Sequence, residues 1–207
     1  MLPTPLRYAT LATVALGAIV SFGSIQGMRL AFVAEEMDVS AGETPFFNKL
    51  TPNPEAYAAA QRAQGVAIRN SIESMRWPRI AVLFGLSAAT ALVFVSALRL
   101  RWPSGIQRSG LALLLSRAAV GAAVFRTLDG AQELVMVRAA VGAYEKALKE
   151  HQVDLGDAGA TMTIFSVGSV MTTVIVIGLF LLASNYFRSE RIQQTFALID
   201  RNTPEEE

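Results

Sequence analysis

Apolar residues gather into four runs, each close to the ~20 residues that a membrane-spanning helix needs, and polar stretches divide them. The first covers residues 8–33. The second, "IAVLFGLSAATALVFVSAL" at 80–98, has the sharpest limits, because Arg76-Trp77-Pro78 precedes it and Arg101-Trp102-Pro103 follows it. Tryptophan settles at the headgroup level and arginine snorkels to it. Proline fits the first turn of a helix or a point just past its end. The third run covers 106–137, and the fourth, 162–183, is closed by Tyr186, Phe187 and Arg188. The pattern predicts an all-α polytopic membrane protein, a single membrane domain with four transmembrane helices in an antiparallel bundle.

The third run is too long for a bilayer. Continued to about residue 150 as helix, it extends roughly 65 Å at 1.5 Å per residue, about twice the hydrocarbon core. Its end, "YEKALKEH", pairs Glu145 with Lys149 and Lys146 with Glu150 at i,i+4 spacing, as a solvated helix does. A second polar helix is expected over 54–75. Asn53 can cap it, Pro54 suits its first position, and Glu55 suits the positive end of its dipole. Tyr57, Ala60, Ile68, Ile72 and Met75 recur near helical spacing along it. Together these segments predict an outward-projecting helical cap. Phe46 and Phe47, in the loop before it, read as an interfacial anchor. Residues 188–207 are expected as a cytoplasmic tail that frays at "RNTPEEE".

Composition agrees with this reading. The 207 residues are 52% hydrophobic and 17% charged, against about 25% charged in soluble domains, and the mean hydropathy is +0.39. A net charge of +1 with no basic run gives no case for nucleic acid. The absence of cysteine excludes disulfides, thiolate metal sites and a cysteine nucleophile. The first run is longer than a signal-peptide core and no clean A-x-A site follows it, so it is expected to remain as a helix. Arginine outnumbers lysine and alanine is abundant, the bias of a GC-rich bacterial genome, which points to a bacterial inner membrane.

Charge also orients the chain. Arg99, Arg101 and Arg108 share a loop without acids, and Arg7, Arg188 and Arg191 lie at the same end. Glu35, Glu36, Asp38 and Glu43 lie at the other end, with Glu145, Glu150, Asp154 and Asp157. The positive-inside rule therefore places both termini in the cytoplasm. Arg76 and Arg79 are the exceptions.

The remaining charges sit on apolar helices. Counted from Arg7 and Arg108, Arg29, Arg126, Asp129 and Glu133 reach similar heights near the outer interface, and the last three share a helix face. They are expected to form a structural ion-pair cluster, with Arg29 opposite Asp129 or Glu133; a substrate or ion site is the alternative. Arg117 falls near mid-membrane, where a lone charge is costly. It either snorkels, meets a ligand, lipid or ion, or pairs with an acid of another subunit. Gly23 and Gly27, a GxxxG pair, and Gly85 with Ala89 form a candidate helix-packing face, and Ser166, Ser169 and Thr173 offer a second.

No motif for catalysis, cofactor or metal stands out. His151 is the only histidine, near Glu150, Asp154 and Asp157, and one histidine makes a weak metal site. The expected function is a non-enzymatic accessory, assembly or interaction subunit of a membrane complex, whose partners are the lipid bilayer and other membrane subunits or further copies of itself. One alternative is a small transporter or channel component using Arg117 and the Arg126, Asp129 and Glu133 face. Another is a membrane enzyme acting at the outer interface through Asp129 or Glu133. The four-pass layout itself carries no function.

Overall fold

The computed structural model describes residues 3–34, 53–101, 108–153 and 156–201. Among them are six helices and no strand: α1 (Thr4–Phe32), α2 (Pro54–Ser74), α3 (Arg76–Arg99), α4 (Arg108–Glu150), α5 (Gly156–Arg188) and α6 (Glu190–Arg201). Four of these, α1, α3, α4 and α5, are long and apolar enough to cross a membrane, the build of an integral membrane protein. Phe46, Phe47, the acids at 35–43, Trp102, Pro103, Asp154 and the end of the tail at 202–207 lie outside the described residues, as do the side chains of 156–165.

The chain forms two compact units. The first comprises Met1–Gly27, Ala81–Thr127 and Val174–Glu207; the second comprises Met28–Ile80 and Leu128–Thr173.

In the first unit, α1 turns one narrow stripe inward: Leu6, Thr10, Thr13, Gly17, Val20, Ser24 and Gly27, all buried or half-buried. The steps alternate between four and three residues, the spacing that keeps one seam facing a partner helix. Its hydroxyls bond to their own helix, Thr10 to the Leu6 carbonyl at 3.0 Å, Thr13 to Ala9 at 2.8 Å and Ser24 to Val20 at 2.8 Å. The stripe is thus small and internally satisfied, so another backbone can approach. At Gly17 an added Cβ would stand 3.1 Å from both the Phe94 nitrogen and the Thr90 carbonyl oxygen of α3, and at Gly27 it would stand 3.2 Å from Leu83.

Similar fits join α3 to α4. The space left by Gly85 is filled by the Phe125 ring, and Ala89 faces Gly121. Between α4 and α5, the Ser116 and Ser184 hydroxyls share a buried hydrogen bond of 3.0 Å. Leu86, Val93, Ala119, Ala122 and Phe180 make one core of this unit, and Leu6, Leu100, Leu115, Phe187 and Phe196 make another.

Phe196 belongs to α6, a helix inside the stretch expected as a tail. Ile192, Phe196 and Ile199 recur at i, i+4 and i+7, and Glu190 and Arg201 stand at the ends that suit their charges. The Gln193 side chain donates to the Phe187 carbonyl at 2.7 Å. Asp200 accepts from the Ser109 backbone N–H at 3.4 Å and lies 3.8 Å from Arg108, so α6 caps the start of α4.

The second unit is built on α2. Its Ala56 and Ala60 pack on Tyr144, Ala147 and Leu148 of α4. Further along, Ile72 closes over Ala31 and Ala34, flanked by Ile68, Ile80 and Met136. Asn53 caps α2 by accepting the Ala56 N–H at 3.2 Å, ahead of Pro54 and Glu55. Gly130 of α4 makes room for the Thr173 methyl of α5. The unbroken 43-residue α4 ends in a Schellman motif. Val153 N–H reaches the Leu148 carbonyl at 3.1 Å, Gln152 N–H reaches Lys149 at 3.0 Å, and Gln152 takes the left-handed φ of 55° that this motif needs.

Candidate functional site

The buried charges decide where a site can lie. Among the described residues, Arg79 and Asp129 are the charged residues that are fully buried. Arg79 Nη1 stands 3.8 Å from Asp129 Oδ1, with the two side chains 10% and 3% exposed. Local sequence places both. Trp77 and Pro78 open α3 with Trp77 outward, 71% exposed, so Arg79, two residues on, turns inward. Asp129 lies one residue before Gly130, on the α4 face that continues through Gln132 and Met136. Gln132 is half-buried, and its Oε1 is buried with no hydrogen bond among the described residues.

Arg76 acts a short way off in the same unit. Its Nη2 donates to the Phe32 carbonyl at 3.2 Å, at the negative end of α1, where a cation is favoured.

Of the expected members, Arg29 is not placed with the others. Asp129 is buried, and Arg126 and Glu133 are half-buried on the same helix. Arg29, expected opposite Asp129 or Glu133, is exposed, and no ion pair among the described residues includes it; Arg79 stands beside Asp129 instead. The reason is angular. Arg29 is two residues from both Gly27 and Ala31, which face inward, so at ~100° per residue it points the opposite way. Matched height alone did not make a pair. Sequence reasoning passed over Arg79, although its exception to the charge asymmetry was the signal that marked it.

Gly27, Gly85 and Ala89 lie at helix contacts in the first unit, whereas Gly23 has nothing within 4 Å of where its Cβ would stand. Ser24 takes the inward position beside it. Arg117 is exposed on α4. His151 is exposed in the turn after α4, and no group of three metal-ligating side chains occurs among the described residues.

No family matches this chain, nor does any curated protein or solved structure. The chemistry must be read from the residues alone. Arg79 and Asp129 bring opposite charges together at 3.8 Å in a buried place. Asp129 is 2% exposed. The pair lies between α3 and α4 in the second unit.

Proposed function

We propose that this chain is a non-enzymatic accessory, assembly or interaction subunit of a membrane complex, set in a bacterial inner membrane. The observation that carries this reading is where the charges go. Buried charge in the second unit is used internally by the Arg79–Asp129 pair, while the first unit turns apolar, small and self-bonded hydroxyl side chains inward. Arg117, which a transport pathway would have used, lies on the outside. Such an interior suits a body that holds its shape and presents surfaces.

The reading includes an antiparallel four-helix bundle with a helical cap. The order of contacts among α1, α3 and α4 in the first unit supports it. Gly17 meets α3 at 90–94 whereas Gly27 meets Leu83; Gly85 meets Phe125 whereas Gly121 meets Ala89. The rise along one helix matches a fall along its neighbour. The length of α4 and the seat of α2 on its last turns support the cap.

The proposal includes both termini in the cytoplasm. Arg7, Arg99, Arg101, Arg188 and Arg191 of the first unit are exposed, available to the cytoplasmic headgroups. Arg76 and Arg79, the exceptions, each have an internal role.

Affinity purification of the tagged chain from its native membranes in mild detergent tests the function. A stoichiometric membrane partner that survives size exclusion is the expected result. A chain that isolates alone and moves a solute across reconstituted vesicles would overturn it in favour of transport.

A further inference from the structure

Arg117 stands on the outward face of α4, in a column with Gly110, Leu113, Leu114, Val120 and Val124, all of them exposed. No ion pair or side-chain hydrogen bond among the described residues engages it. A cation in the hydrocarbon is costly unless it reaches an anion or water. The apolar spans of a second copy offer it no acid at its own depth. The segments 4–32, 76–99, 108–128 and 166–188 contain neither Asp nor Glu.

The reach of the side chain points to the headgroups. Arg117 lies about 13 Å along α4 from Arg108 at 1.5 Å per residue. Helix side chains tilt toward the N-terminus, and an extended arginine stem covers a further ~6 Å in that direction. Leu113 and Leu114 flank the path of the stem. Two turns below, Gly110 has nothing within 4 Å of where a Cβ would stand, so the column is open there.

We propose that Arg117 binds the phosphate of one anionic phospholipid in the leaflet at the Arg108 end, with its headgroup seated over Gly110 and its acyl chains along Leu113, Leu114, Val120 and Val124. Charge complementarity selects the occupant. The guanidinium takes phosphate oxygens through paired N–H donors, and the apolar column takes the acyl chains. The inference goes beyond the subunit reading but rests on the chain being embedded in a bilayer. Alkaline carbonate extraction checks that separately, since release from membranes would sink the embedding whatever the lipid result.

The test is a native mass spectrometry titration of the detergent-purified full chain with phosphatidylglycerol, phosphatidylcholine or inorganic phosphate. The wild type should retain one phosphatidylglycerol more tightly than phosphatidylcholine and show no retained inorganic phosphate. Arg117→Gln should weaken that site about tenfold, and Arg117→Lys should weaken it less, because it keeps the charge but loses the planar fork. Gly110→Leu, which places a side chain in open space, should also weaken it with no change in thermal stability. That variant decides the matter if Arg117→Gln does not fold. Unchanged lipid binding in folded Arg117→Gln and Gly110→Leu overturns the proposal. So does Arg117-dependent retention of inorganic phosphate, or loss of a copurifying protein in Arg117→Gln while lipid binding stays as in the wild type.

Discussion

In the first unit, helices meet where side chains are missing or short: Gly17 against the α3 backbone, Gly27 against Leu83, Gly85 under the Phe125 ring, and Ser116 bonded to Ser184. The second adds a buried charge pair and side-chain packing to one such fit, Gly130 with Thr173, whereas the ion contact of the first, Arg108 with Asp200, ties α6 to α4. Arg79 faces Asp129, Arg76 holds the Phe32 carbonyl, and α2 lays Ala56, Ala60 and Ile72 on its neighbours. Where lipid removes the hydrophobic drive between helices, close fit of small residues does the joining, and the contacts of the first unit are of that kind. The least covered span, α5, fits the same account, since only 6% of its apolar window is buried against 39% for α4.

The two modes should fail differently under mutation. The largest effect is expected from Asp129→Leu, which strands Arg79 in a buried place at a cost of about 3–5 kcal/mol. Thermal unfolding in detergent should show it, and the double change Arg79→Met with Asp129→Leu should recover most of the loss. If the double variant is as unstable as the single one, the pair is not what joins α3 to α4 in that unit.

Next is bulk in the first unit. Gly85→Val drives a side chain into the Phe125 ring and should cost about 1–3 kcal/mol. Gly23→Val, four residues before Gly27 on α1 and facing open space, should change stability by less than about 0.5 kcal/mol. Equal losses at the two glycines would remove the distinction between contact and surface on which the account depends.

Ser116→Ala should cost about 1 kcal/mol, because the Ser184 hydroxyl then keeps no partner across the contact, and Ser116→Ala with Ser184→Ala should cost less than the single change. One further effect is a gain. Gln152→Gly relieves a left-handed residue at the end of α4 and should raise stability by up to about 1 kcal/mol. A fall in the melting temperature would show that the Gln152 side chain contributes more than its backbone costs.

Much of this fold was legible in the chain. The bracketed run at 80–98, the excess length of α4 and the Asn53-Pro54-Glu55 start of α2 each follow from a local rule that tertiary context did not override. The inward stripe of α1 was not read from the chain: the GxxxG pair drew attention to Gly23, one residue from the seam at Ser24. α6 was missed because its polar residues outnumber the Ile192, Phe196 and Ile199 stripe, and because Arg188 looked like the end of ordered chain. The partner of Asp129 was missed for a geometric reason. Height along two helices can be counted from sequence, whereas the rotation of one helix against another is fixed by all the small residues of its seam together. Arg29 points outward, and Arg79 stands beside Asp129.

The central claim is a four-pass chain whose arginine-rich end lies in the cytoplasm. Single-cysteine labelling tests it most directly, and the cysteine-free sequence makes each introduced thiol unique. In intact cells, a membrane-impermeant maleimide should leave Gly105→Cys unmodified until the cytoplasmic face is opened, and should modify Asp157→Cys at once. Modification of Gly105→Cys from outside with protection of Asp157→Cys would invert the topology, and modification of both from the same side would contradict the four passes themselves.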